Sequence, residues 1–186
     1  MGKLPLSDNL MRRRRRDRAA WRRAGELAGK IVLGLVAMLG AAGPSGGPAR
    51  AQNADTTAIE SCIQSKIAAE QDAKRCIGTL ARPCLDDPKG QSTAGMVACL
   101  EREARAWDRL LNDYYTRLSE QLDGAQREAL RDLQRSWIAY RDKACGFYRI
   151  YHQGTVAGPM TASCLNDETA RRALALRDFL SDAEGR

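Results

Sequence analysis

Residues 92–122 read STAGMVACLEREARAWDRLLNDYYTRLSEQL, and this stretch decides the fold. Its apolar positions are Met96, Leu100, Ala104, Trp107, Leu111, Tyr114, Leu118 and Leu122, with steps of 4, 4, 3, 4, 3, 4 and 4. Steps of three and four keep these side chains on one helix face, whereas a half-buried strand needs strict alternation. Asp123-Gly124 ends the run, and Asp123 with Gln126 has the form of an N-cap and its reciprocal partner. A second helix reads onward through Leu130, Leu133, Trp137, Ala144, Tyr148 and Tyr151. At the usual helical rise the two would be roughly 45 and 42 Å long. A tight turn joins them, so an antiparallel hairpin is expected, with Trp107 and Trp137 sharing one core.

Downstream, residues 153–159 hold Gly154, Gly158 and Pro159 and read as a loop that stops the second helix. Asn166-Asp167-Glu168 is then expected to open a last helix, as a cap followed by two acids that suit the macrodipole. Leu165, Ala173, Leu176 and Leu180 continue its apolar stripe. Upstream, residues 56–81 read as one or two short helices broken near Gln71-Asp72. Residues 82–90, with Pro83 and Asp86-Asp87-Pro88-Lys89-Gly90, read as a turn-rich loop. The expected class is all-α: a small helical bundle built on a long antiparallel hairpin and stapled by disulfides.

Cys62, Cys76, Cys84, Cys99, Cys145 and Cys164 all lie beyond residue 51. An even set in a small exported chain reads as three disulfides, with fifteen pairings open. A metal site would need close cysteine pairs or several histidines, and His152 is the only histidine. The simplest scheme is local, Cys62–Cys76, Cys84–Cys99 and Cys145–Cys164. Each such loop is worth about 3 kcal/mol at the upper end.

The 186 residues carry formal net charge +7, which invites a nucleic-acid reading until the charge is located. Residues 1–51 hold a net +8 and residues 52–186 a net −1. The first segment has Arg12 to Arg16, an apolar run over 31–43, and the triplet Ala49-Arg50-Ala51. Those are the three parts of a secretory signal, with cleavage expected near Ala51. The apolar run falls short of the roughly 20 residues that a spanning helix needs. The expectations are therefore no nucleic-acid partner, no stable membrane span after cleavage, and a periplasmic or secreted protein.

Catalytic chemistry finds little support. His152 lies beside a loop without a G-x-S-x-G elbow. Asp86-Asp87 and Asp167-Glu168 could serve as paired carboxylates, but adjacent acids at a turn or helix start are more often structural. No glycine-rich phosphate cradle occurs, and no cofactor or metal is expected. Two clusters carry more aromatic and charged residues than a solvated face needs: 107–115, and 133–142 leading to Cys145. Asn112, Arg141 and Asp142 are expected to bond across the hairpin, and the aromatic residues to fill the core.

These residues resemble the LprI-type lysozyme-inhibitor family. The resemblance begins with Cys84 to Cys99, including Thr93 and Met96, and continues with Trp107, Asp108, Leu111, Asn112 and Tyr115. Gln134, Trp137, Tyr140, Arg141, Asp142 and Cys145 follow, then Cys164, Thr169, Arg172 and Leu176. It implies a signal over 1–51, a cysteine-bearing helical extension over 52–83 and a family-like helical domain over 84–186. It also implies a non-enzymatic envelope protein that binds and inhibits lysozyme. The alternative is a structural or stress-related protein that binds another periplasmic partner. Candidate partner contacts are Asp86 and Asp87 in the acidic turn, with His152, Gly154 and Gly158 in the later loop.

Overall fold

The computed structural model describes residues 48–185, with side chains from residue 52 onward. The arginine run and the apolar segment lie outside the described residues. Five α-helices follow one another: α1 Pro48–Ala68, α2 Ala81–Asp86, α3 Thr93–Gln121, α4 Gly124–Tyr151 and α5 Ala157–Glu184. Short 3-10 turns at Ala73–Cys76, Pro88–Gly90 and Gly154–Val156 link them, and no strand occurs among the described residues. The fold is all-α.

The helix ends follow from local chemistry. Ser92 caps α3, its hydroxyl accepting from the Gly95 N–H at 3.0 Å. Asp123 and Gln126 form a full capping box at α4, with bonds of 2.9 and 3.2 Å. Arg127 donates to the Ser119 and Leu122 carbonyls at 2.9 and 2.7 Å, satisfying acceptors that the end of α3 leaves free. Asp72 caps the 3-10 turn after α1, the place where a break was expected.

Three expectations change. Residues 82–86, read as part of a turn-rich loop, form helix α2, with Pro83 in its first turn where a missing N–H loses no partner. Helix α5 starts at Ala157, so Asn166 sits inside it and is buried, and does not cap it. Pro159 did not stop a helix because it lies in the first turn, where its missing N–H has no partner to lose. The closest packing also differs from a simple hairpin. Helix α3 lies along α5, and α4 returns to rest on α5 as well. The Glu103–Asn166 and Arg117–Glu184 contacts advance together along the two chains, so α3 and α5 run parallel.

Trp107, Leu110, Leu111, Tyr114 and Leu118 of α3 meet Ala170, Ala173, Leu174, Leu176 and Leu180 of α5 in one core. Ile59 and Ile63 of α1 close it from outside, and Trp137 of α4 packs against it. Full burial of each large apolar side chain contributes about 1.5–3 kcal/mol. Burial of Tyr114 raises its phenol to about 12, with Glu60 adding to the shift. Asp55 holds α1 to α3 through a two-pronged pair with Arg102, at 2.6 and 3.0 Å.

The disulfides join Cys62 to Cys76, Cys84 to Cys99 and Cys145 to Cys164, with Cα–Cα separations of 5.8, 5.6 and 5.4 Å. The first fastens α1 to the turn after it, and the third fastens α4 to α5. Replacing Cys62 and Cys76 together by alanine is expected to lower stability by up to about 3 kcal/mol. Hydrogen exchange should locate the loosening in α1, and an unchanged denaturation midpoint would contradict it.

Candidate functional site

Helix α3 carries a fully buried carboxylate, Glu103. It accepts from the backbone N–H groups of Gly78, Leu80 and Ala81 at 2.6, 2.8 and 2.7 Å. Trp107 Nε1 adds a donor at 3.1 Å and Asn166 Nδ2 another at 3.3 Å. Gly78 has φ +97°, and a Cβ there would run into the Arg82 guanidinium, so the turn that aims these N–H groups requires glycine. Sequence reasoning did not single out Glu103. The available signal was its position four residues from both Cys99 and Trp107, which puts it on the buried face.

Around this hub the resemblance residues divide by role. Trp107, Leu111 and Thr169 are buried, and Tyr115 is partly so. Asn112 bonds back to the Asp108 carbonyl and carboxylate at 2.7 and 3.2 Å, within its own helix. Arg141 pairs with its neighbour Asp142 at 2.9 Å. The expected bonds across the hairpin are therefore replaced by local ones, because α4 leans on α5. Gln134 accepts from Arg172 Nε at 2.8 Å, and this bond links α4 to α5. Two guanidinium groups lie over the Trp137 ring, Arg141 at 5.0 Å and Arg172 at 5.9 Å from its centroid. Burial lowers the pKa of Arg172. Beside this stack runs an open groove of about 430 Å³, with Ala104 and Leu165 in it and Arg105, Asp108 and Arg141 on its walls.

The two candidate contact segments each lead into a long helix, one into α3 and the other into α5. Helices α3 and α5 run parallel and start side by side, so that a Cβ on Gly158 would stand 3.4 Å from a Val97 methyl. Asp87 accepts from the Lys89 N–H at 2.9 Å and shapes its turn, while Asp86 is exposed at the end of α2. Gly154 turns the later loop with φ +73°. His152 ends α4, its N–H donating to the Tyr148 carbonyl at 3.0 Å and its ring stacking on Tyr148. Phe147 stacks on Tyr151 at 5.6 Å, and Tyr151 and Val156 are exposed. Among the described residues, no cluster of three or more histidine, cysteine or acidic side chains is placed to hold a metal.

Two outcomes follow from the hub. Glu103→Ala leaves three backbone N–H groups without their acceptor, at about 1–3 kcal/mol each. The variant should therefore lose on the order of 3 kcal/mol or more in urea unfolding; an unchanged midpoint would remove the hub role. Nearby, burial raises the Asp167 carboxyl above its ordinary range, opposed by Arg171 and aided by the charge of Glu103. A carboxyl raised on folding contributes its stability at acid pH and loses it as pH climbs through the folded value. Asp167→Asn should thus raise the thermal midpoint at neutral pH, with the gain vanishing in acid. An equal gain at both would contradict this origin.

The family model for the lysozyme inhibitor LprI matches residues 84–176, half of the chain. An uncharacterised protein of Rhizobium meliloti is 28% identical over 117 residues, covering 55% of this chain and 84% of the relative. No solved structure matches. Helices α3 and α4, the Cys84–Cys99 and Cys145–Cys164 disulfides and the tryptophan–arginine contacts lie within the matched span, and the chain belongs to the LprI lysozyme-inhibitor family.

Proposed function

We propose that this protein is exported to the cell envelope, where it binds and inhibits lysozyme without catalysing a reaction. The observation that carries the reading is the family match over residues 84–176. Lysozymes work in a cleft that holds a carboxylate pair, and an inhibitor must fill or cover that cleft. The turn over residues 153–156 is exposed, with Val156 accessible and Gly154 giving the sharp bend. Asp86 and Asp87, both exposed, offer negative charge to enzymes that are commonly basic.

Three disulfides support an oxidising compartment, and the features of residues 1–51 support a signal cleaved near Ala51. No helix among the described residues is long and apolar enough to cross a membrane. The net charge of −1 over residues 52–186 offers little to nucleic-acid phosphates. Residues 52–83 form the extension and 84–186 the family domain, with no cofactor assigned to either.

Adding the protein to a cell-wall lysis assay should slow lysozyme. Absence of slowing at micromolar excess, against both c-type and g-type enzymes, would remove the reading. Specific co-purification of another envelope protein would then favour the alternative of a structural partner. Val156→Asp and Asp86→Lys should each weaken inhibition about tenfold or more while leaving the thermal midpoint in place, since both side chains are exposed.

A further inference from the structure

Helix α4 carries two stripes, and its own fold uses one. The inward stripe is Leu130, Gln134, Trp137, Arg141, Cys145 and Tyr148, all buried or half-buried. The other lies about a quarter-turn round the helix. It comprises Leu133, Tyr140 and Phe147, seven residues apart and 49%, 56% and 58% exposed. Ala144 and Tyr151 complete the alternating steps of three and four that mark a helix-pairing seam. Ile150, 81% exposed, flanks it. At the contact areas usual for large side chains, this face offers on the order of 700 Å². That exceeds the roughly 300–600 Å² patch of an ordinary monomer and approaches the ~800 Å² that one partner gives a standard interface.

We propose that this face is a homodimer interface, in which two copies of α4 pair antiparallel about a two-fold axis at Tyr140. The register follows from the residues. With Tyr140 opposite Tyr140, Leu133 meets Phe147 of the second copy, and Ala129 meets Tyr151. Lys143 and Asp132 lie on this flank, and in this register Lys143 comes level with Trp137 of the second copy, not with a second lysine. A parallel pairing would stack Lys143 on Lys143, which the two-fold antiparallel arrangement avoids. The inference stands apart from lysozyme binding. In the antiparallel pair the two loop ends point away from each other, so both remain open.

Sedimentation equilibrium of the full chain, purified from an exporting host, should show a dimer at tens of micromolar. Tyr140→Glu places two like charges at the axis and should weaken dimerisation about 100-fold or more. Ile138→Glu, on the opposite shoulder and 40% exposed, should leave it unchanged. Tyr140→Cys should give a covalent dimer on oxidation, linked through residue 140 alone. A monomer at about 100 µM, or a dimer indifferent to Tyr140→Glu, overturns the proposal. So does a monomer in which Tyr140→Glu abolishes lysozyme inhibition, which would assign the face to the enzyme instead.

Discussion

The structure depends on how one buried charge is satisfied. A carboxylate removed from water costs several kcal/mol unless its lone pairs are occupied. Glu103 has five donors: three from the chain at the entry to α2, one from its own helix and one from α5. Those bonds converge from positions as distant as Gly78 and Asn166, so α3, α5 and the segment 78–81 must be in place together. An apolar residue at 103 could fill the volume but could not tell the segment 78–81 where to sit. The family model begins at residue 84, whereas three of the donors come before it. The physical domain is therefore longer than the family domain.

Much of this was legible from local pattern. The three-and-four spacing through Trp107 and Leu118 marked a helix, Asp123 with Gln126 marked the start of the next, and sequence-adjacent cysteines pointed to local bridges. What escaped was set by distant partners. Glu103 resembles any surface glutamate until the N–H groups about 25 residues upstream are brought to it. The start of α5 was misplaced because Gly158-Pro159 reads equally as the end of one helix or the first turn of another. A stripe also says which face is buried but not against what, and so α4 was matched to its neighbour α3 when it rests on α5.

The division of α4 into two faces explains its unusual composition. Only Leu130 and Cys145 of this helix are fully buried, yet it holds two of the protein's larger aromatic clusters. Its inward face is held by the Arg172–Gln134 bond, the tryptophan–arginine stack and a disulfide, which fix its position without a wide apolar contact. Its remaining apolar side chains are left free for association. The loop end and the flank of α4 are separate surfaces, so one chain can carry a cleft-directed loop and a pairing face without conflict.

The disulfides join the first cysteine to the second, the third to the fourth and the fifth to the sixth. No bridge spans another. For a chain threaded into an oxidising compartment from its N-terminus, the correct partner of each odd-numbered cysteine is the next one to arrive. Oxidation in order of emergence then gives the native set directly, and no bond has to be broken and reshuffled before the helices can close.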